Sequence, residues 1–86
     1  MANGFNDYYE ILEVHHKASS EIIKNAYRTL AKKYHPDTSG LSQAESTKKM
    51  ALLNEAFDIL SDAEKRAAYD RLWSVYHQIS AEEPSA

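Results

Sequence analysis

SSEIIKNAYRTLAKKYHPDTSG, residues 19–40, decides the fold that the sequence predicts. Ser19 is a good N-cap, and the apolar residues after it recur at spacings of three and four, which is typical of one face of a helix. Pro36 cannot donate a backbone N–H and disfavours the helical conformation at His35, so the helix should end just before the proline. A corner needs no more than a proline or a glycine, so the flanking His35 and Asp37 require another explanation.

Start signals and periodicity predict three further helices. A short first helix covers residues 7–12, and a third opens at the capping box Ser42-Gln43-Ala44-Glu45. The next box, Ser61-Asp62-Ala63-Glu64, should end the third helix and start a fourth that runs to about Ser80. No segment alternates with a period of two, so strands are not expected. The sequence predicts an all-α bundle, in which two long helices form an antiparallel hairpin flanked by two shorter helices.

Length and composition limit the function. A chain of 86 residues makes one small domain, which buries roughly 60 to 65% of its unfolded surface and leaves little room for a deep catalytic cavity. The chain has no cysteine, and the adjacent pair His15-His16 lacks a third ligand in register, so no metal site or cofactor is expected. No apolar run approaches the roughly 20 residues of a membrane span. The polar start is unlike a signal peptide, so we expect a cytoplasmic domain. We also expect this domain to be a monomer.

Charge is distributed unevenly along the chain. The formal net charge is −3, which speaks against general binding to nucleic acid. Yet residues 17–33 contain five basic residues and a single acid, whereas the balance after Asp37 is acidic. Lys24, Arg28 and Lys32 are spaced by four and lie along one face of the second helix. Such a row can steer the domain onto an acidic surface at a salt-sensitive rate, although a basic helix face is more often merely solvated.

Five blocks of the sequence together resemble a J domain, the module that defines the DnaJ co-chaperones. In chain order they are residues 7–12, residues 23–34, the tripeptide His35-Pro36-Asp37, residues 55–57 and residues 65–70. A lone His-Pro-Asp would be a weak signal, but the five blocks have the order and the separations of the family, which makes the match specific. The resemblance covers residues 6–72, and it leaves 1–5 as an N-terminal tail and 73–86 as a helix extension and tail or linker.

The resemblance implies a non-enzymatic partner of a 70 kDa heat-shock chaperone of the DnaK type. In that family the domain binds the ATP-bound chaperone and stimulates its ATP hydrolysis. His35, Pro36 and Asp37 match the signature that carries stimulation, and partner-contacting positions on the second helix correspond to Lys24, Tyr27 and Arg28, with Lys32 continuing the row. Pro36 would fix the corner, and the Asp37 carboxylate could then pair with an arginine of the partner. The protonation state that His35 needs stays open.

Several positions depart from the family pattern. Glu13 stands where a glycine commonly ends the first helix in a left-handed conformation, so we expect the first loop to differ. Thr29 and Thr38 replace residues that are basic in many members, which should weaken the electrostatic contact. Met50 replaces a phenylalanine with a more adaptable filler. The family's glycine- and phenylalanine-rich segment and its zinc module are not present after residue 72, so the chain is either a fragment or a member whose specificity lies elsewhere.

Two other classes of protein compete with this interpretation. A helix-turn-helix DNA-binding domain is also small, helical and partly basic, and its corner proline would be incidental. A J-like interaction domain would bind a partner without stimulating ATP turnover, through an exposed stripe of Trp73, Tyr76 and Ile79. Tyr27 lies on the apolar stripe of its helix, so we expect it to be partly packed and partly exposed. We expect His77 to be exposed.

Overall fold

Four helices make up the part of the chain that the structure describes. The structure is a computed structural model that describes residues 6–81, with side chains described as far as His77. Helix α1 covers Tyr8–Ile11, α2 Ser20–Lys33, α3 Gln43–Leu60 and α4 Ala63–Ala81. No strand occurs between residues 6 and 81, which confirms the all-α prediction. The predicted tails at 1–5 and 82–86 and the side chain of Ile79 lie outside the described residues.

Side-chain oxygens cap the start of each of the first three helices, as the sequence predicts. Asp7 Oδ1 accepts from the backbone N–H groups of Tyr9 and Glu10 at 3.1 and 3.2 Å. Ser19 Oγ accepts from the Ile22 N–H at 3.3 Å, and Ser42 Oγ accepts from the Glu45 N–H at 3.1 Å. These bonds satisfy N–H groups that have no partner inside the helix.

The start of α4 differs from the predicted capping box by one residue. Asp62, not Ser61, caps the helix, because Asp62 Oδ1 accepts from the N–H groups of Glu64 and Lys65 at 2.9 and 3.0 Å. Ser61 instead forms the C-cap of α3, with its N–H donating to the Phe57 carbonyl. The bonds to Asp62, that from Lys65 above all, lower the pKa of its carboxyl group.

Helices α2 and α3 form the predicted antiparallel hairpin. Tyr27 near the middle of α2 stacks on Phe57 near the end of α3, whereas Tyr34 after the end of α2 meets Lys49 near the start of α3. As the residue number increases along α2, the number of the contacted residue in α3 decreases. The two helices therefore run in opposite directions. This arrangement does not fit the helix-turn-helix alternative, whose two helices cross at about 90 to 120°.

The core lies where α1, the α2–α3 hairpin and the first half of α4 meet. Its buried apolar members are Tyr9, Leu12, Ile23, Leu30, Leu53, Ala56, Leu60 and Tyr69. Met50 and Phe57 are partly buried against this cluster. Burial of apolar side chains from all four helices is the main force that holds them together.

Helix α4 ends at Ala81, close to the predicted end near Ser80, but it is not shorter than the helices of the hairpin. With 19 residues it exceeds both α2, with 14, and α3, with 18, so it is not one of two shorter flanking helices. Neither proline nor glycine interrupts the chain between residues 63 and 81, so nothing in this stretch forces the helix to stop. The division of the chain at residue 72 stays a prediction, and α4 crosses that point without a break.

The first loop begins with a left-handed residue that is not glycine. Glu13 has φ 58°, and the N–H groups of Glu13 and Val14 donate to the carbonyls of Glu10 and Tyr9 at 3.0 and 2.9 Å. This pair of bonds is the Schellman motif. The loop therefore keeps the ending that glycine usually provides and carries the strain of a Cβ in that conformation.

Candidate partner-binding site

The His35-Pro36-Asp37 corner lies directly after α2. The helix ends at Lys33, Tyr34 is its C-cap, and the N–H groups of Thr38 and Ser39 both donate to the His35 carbonyl, at 3.1 and 2.9 Å. The chain thus turns tightly around the proline, as predicted from its missing N–H and fixed φ. All three corner residues are exposed. His35 and Asp37 line an open depression between the corner and the last turn of α2.

The His35 imidazole fixes the backbone of the corner. Its Nδ1 accepts a hydrogen bond from the Asp37 backbone N–H at 3.1 Å. Acceptance requires a lone pair at Nδ1, so this geometry belongs to the neutral ring that carries its proton on Nε2. The same Nδ1 lies 3.9 Å from Asp37 Oδ2, but an ion pair there would need a proton on Nδ1, and the shorter bond to the N–H is the better-formed contact.

The Asp37 carboxylate points into solvent. Its side chain is 86% exposed, against 54% for His35. A carboxylate at this exposure can accept both N–H groups of a guanidinium at one edge, and the proline before it limits the conformational freedom lost when it does so. The corner can therefore present an anion in a defined direction.

The basic row of α2 leads to the corner. Lys24, Arg28 and Lys32 are all exposed, and none of them forms an ion pair with a carboxylate of the described residues. Glu21 is the one acid between residues 17 and 33. The row therefore keeps its positive potential along one helix face, and Lys32 at its end lines the same depression as His35 and Asp37.

Tyr27 is partly packed and partly exposed, as predicted. Its ring stacks on Phe57 with the ring centroids 4.4 Å apart, and its hydroxyl donates to Asn54 Oδ1 at 2.6 Å. Both contacts hold α2 against α3. A role in partner binding, which stays a prediction, would have to use the part of the ring that these contacts leave exposed.

The sequence prediction missed three hydroxyl groups that tie the corner to the hairpin. Thr38 Oγ1 donates to the Lys32 carbonyl at 3.0 Å, and it is a closer donor to this carbonyl at the end of α2 than the His35 N–H at 3.5 Å. Ser39 Oγ lies 3.1 Å from Ser46 Oγ in α3 and accepts from the Leu41 N–H at 3.1 Å. Serine and threonine after a helix commonly bond local backbone in this way, and that composition was the available signal. Thr38 thus has a structural function where many relatives are expected to carry a basic residue.

An arginine of α4 fastens the first loop and, with it, the start of α2. Arg66 Nη2 donates to the carbonyls of His16 and Ala18 at 3.1 and 2.7 Å, and its Nε donates to the Tyr9 hydroxyl at 2.9 Å. That hydroxyl in turn donates to the Asp70 carboxylate. Burial, with the bond to Asp70 as a further cause, raises the pKa of Tyr9 to about 12.

Two further tyrosines join α1 to the rest of the bundle. The hydroxyl of Tyr8 donates to the Glu55 carboxylate, while the hydroxyl of Tyr69 donates to the Asn6 carbonyl at 2.8 Å. Burial is the largest cause that raises the pKa values of both tyrosines. The pKa of Tyr8 rises to about 12, and that of Tyr69 is raised as well. These bonds position α1 against α3 and α4.

The candidate stripe on α4 is not a uniform exposed surface. The Trp73 ring stacks on His16 and His77, with centroids 4.2 and 4.0 Å away, and its Nε1 donates to Asp7 Oδ1 at 3.3 Å. His77 is half-buried rather than exposed, because it also lies 3.5 Å from the Asp7 carboxylate. Tyr76 is 37% exposed. The stripe therefore folds back onto the domain at Trp73, which removes its largest member from a free contact surface.

The described residues lack two other features that would indicate a different kind of protein. No group of three or more metal-ligating side chains occurs among them. None of their helices has the length and apolar character needed to span a bilayer. A separate hollow of about 480 Å³ between α1 and α3 contains Glu10, Tyr34 and Leu53 and none of the predicted partner-binding residues.

Comparison with known proteins decides the family. The family model described as the DnaJ domain matches residues 7–70, which includes all four helices as far as Asp70 and the whole His35-Pro36-Asp37 corner. The chain belongs to the DnaJ-domain family. The J domain is a co-chaperone module, and the match includes both the corner and the basic row of α2.

Curated relatives agree with this assignment. The chain is 57% identical over 65 residues to a chaperone protein DnaJ of Nitratiruptor, a match that covers 76% of this chain and 17% of the relative. It is 51% identical over 65 residues to human DnaJ homolog subfamily B member 3, covering 76% of this chain and 45% of that protein. A chaperone protein DnaJ of Thermoplasma volcanium is 51% identical over 69 residues, or 80% of this chain and 19% of the relative. The chain thus spans less than half the length of these relatives.

Proposed function

We propose that this J domain binds a 70 kDa heat-shock chaperone of the DnaK type and stimulates its ATP hydrolysis through His35, Pro36 and Asp37. The observation that carries the proposal is the presentation of the Asp37 carboxylate, 86% exposed, on a corner fixed by Pro36 and by the bond from its own N–H to His35. A partner arginine can meet such a carboxylate without first ordering it, which lowers the entropic cost of the contact.

The basic row of α2 would supply affinity and orientation. Lys24, Arg28 and Lys32 are exposed and have no carboxylate partner among the described residues. Their charge favours an acidic partner surface, and it accelerates association at low ionic strength. Tyr27 would add the exposed part of its ring to this surface. In this division of functions α2 provides binding, whereas the corner provides stimulation.

The remaining parts of the proposal concern the setting. We propose that the domain acts as a monomer in the cytoplasm, without a cofactor and without binding nucleic acid or a membrane. The net charge of −3 supports the expectation for nucleic acid.

Single-turnover ATP hydrolysis by a purified DnaK-type chaperone tests the stimulation. Wild-type domain should accelerate hydrolysis, while Asp37→Asn should abolish the acceleration and keep the helical circular dichroism spectrum. Asp58→Asn is the matched control, because Asp58 is also exposed but pairs with Lys65 on another part of the surface, at 3.2 Å. Equal stimulation by wild type and Asp37→Asn would contradict the function given to the corner.

The same assay tests the basic row when the domain concentration is varied. Arg28→Ala should raise the concentration for half-maximal stimulation and leave the maximal rate intact, and this difference should shrink as salt is added. Arg71→Ala removes the same charge from an exposed position of α4. It should change neither the half-maximal concentration nor the maximal rate. Binding without any stimulation by the wild-type domain, across several chaperones, would favour the J-like interaction domain instead.

A further inference from the structure

We propose that the hydroxyl pair Ser39–Ser46 is a positioning device that fixes the His35-Pro36-Asp37 corner against α3 and sets the maximal stimulation rather than the affinity. This inference rests on the proposed function. Ser39 and Ser46 touch no partner in the proposal. They would act through the orientation that they give to Asp37.

The pair joins the corner to the hairpin through a continuous chain of bonds. Ser46 lies in α3 and is 0% exposed, and its Oγ is 3.1 Å from Ser39 Oγ. The Ser39 N–H donates to the His35 carbonyl at 2.9 Å, and the His35 ring accepts from the Asp37 N–H at 3.1 Å. Three contiguous hydrogen bonds therefore connect a buried position of α3 with the backbone of the exposed aspartate.

Among the described residues, the Ser39–Ser46 bond is the one hydrogen bond that joins the segment 35–41 to α3. The other tether, from Thr38 to the Lys32 carbonyl, runs back to α2. With both tethers, the corner is held from the two helices of the hairpin. With the Thr38 tether alone, it can pivot about the end of α2, and Gly40 at φ 78° offers a flexible joint on the far side.

The burial of Ser46 explains why the bond persists. A hydroxyl that is removed from water has to be satisfied by another group, because an unpaired one is strongly unfavourable. Ser39 can move to solvent, whereas Ser46 cannot. Ser46 therefore holds Ser39 in place, and the ordered loop loses conformational entropy as a result.

Substitutions on both sides of the pair separate positioning from stability. Ser39→Ala leaves the Ser46 hydroxyl buried without its partner, Ser46→Ala removes the buried hydroxyl itself, and the double variant removes both. Ser39→Thr keeps the hydroxyl and is the conservative rescue. Ser74→Ala on exposed α4 is the matched control. Because a loop substitution can scarcely unfold the bundle, Ser39→Ala remains informative even if Ser46→Ala folds poorly.

Stimulation is measured as maximal rate and half-maximal concentration for each variant. We expect both alanine variants and the double variant to lower the maximal rate by up to about fivefold, the factor that one ordinary hydrogen bond contributes. The half-maximal concentration should change less than about twofold, because the row on α2 is untouched. Ser39→Thr should restore the rate. A rate unchanged in Ser39→Ala, or a loss confined to half-maximal concentration, would overturn the proposal.

Backbone amide NMR provides a readout that does not depend on a chaperone. Loss of the pair should shift the Asp37 amide signal and speed hydrogen exchange at the Leu41 N–H, which donates to Ser39 Oγ in the wild-type domain. Ser74→Ala should do neither. If the wild-type domain stimulates no chaperone, the proposed function fails, and the Asp37 signal alone then decides whether the pair positions the corner. An Asp37 signal that is the same in wild type, Ser39→Ala and Ser46→Ala would refute the positioning.

Discussion

Removal of Arg66 should destabilise the domain far more than removal of any neighbouring charge. The guanidinium lies mostly buried, 19% exposed, and makes three bonds: two to the loop carbonyls of His16 and Ala18, and one to the Tyr9 hydroxyl. Arg66→Ala deletes all three and leaves a gap over the Tyr9 ring, whose centroid lies 5.4 Å from the guanidinium carbon.

The size of the effect follows from what each acceptor can recover. A hydrogen bond from a charged donor contributes about 1.5 to 3 kcal/mol. Tyr9 keeps its bond to Asp70, and water can reach part of the loop, so the loss should correspond to about one to two such bonds, or roughly 3 kcal/mol in all. A domain of 86 residues has a free energy of unfolding of about 4 to 13 kcal/mol. The melting temperature should therefore fall by more than about 10 °C.

Urea denaturation followed by far-ultraviolet circular dichroism measures this loss. Arg71→Ala is the matched control, because Arg71 is exposed on the same helix and its removal should change the free energy of unfolding by less than about 0.5 kcal/mol. Arg66→Lys should recover less than half of the loss, since one ammonium cannot reproduce the planar fork. Arg66→Ala as stable as Arg71→Ala, or Arg66→Lys as stable as wild type, would refute the reasoning.

Three further perturbations follow from backbone conformation and burial. Glu13→Gly should raise the free energy of unfolding by about 0.5 to 1 kcal/mol in urea denaturation, because Glu13 adopts φ 58° where glycine has no strain; a loss would contradict this. Gly40→Ala should lower the free energy of unfolding by about 1 kcal/mol through backbone strain at φ 78° alone, since no atom lies within 4 Å of the added Cβ. A loss above about 3 kcal/mol would indicate a steric clash instead. Burial raises the pKa of Tyr8 and Tyr9 to about 12 and raises that of Tyr69 too, so stability is complete below the ordinary value of 10.0 and falls as the pH rises from there towards 12. A phenolate absorbance titration should show these three ionising only as the domain unfolds, and ionisation of all six tyrosines near pH 10.0 in a folded domain would be the opposite result.

Features with a local cause could be predicted from the sequence. Ser19 and Ser42 cap their helices because their hydroxyls meet backbone N–H groups three residues away, and Pro36 ends α2 because of its own ring. The N-cap of α4 was harder to predict, because Ser61 and Asp62 are adjacent and both residue types are good N-caps. Asp62 takes this position because Ser61 already ends the last turn of α3.

Features that depend on residues distant in the chain could not be predicted. Trp73 and His77 pack on Asp7, about seventy residues away, so their burial follows from the docking of α4 on α1 and not from any spacing within α4. The left-handed conformation at Glu13 contradicts its intrinsic preference, and the packing of the buried Leu12 beside it can override that preference. In the candidate site, the His35-Pro36-Asp37 motif and the basic row could be recognised in the sequence. The contact between Ser39 and Ser46 could not, because it forms only when the loop folds against α3.

Stability does not explain the position of Asp37. Cations stabilise the C-terminal end of a helix and anions oppose its dipole, and Lys32 and Lys33 in the last turn of α2 follow this rule. Asp37 lies just beyond that end, its carboxylate is 86% exposed, and it caps no helix in the described structure. Asp37→Asn therefore removes a charge that contributes little to folding, so a loss of stimulation in that variant would report on the contact itself. A carboxylate that contributes little to the fold, on a corner tied to both helices of the hairpin, has the exposure and the fixed backbone that the proposed contact with a partner arginine requires.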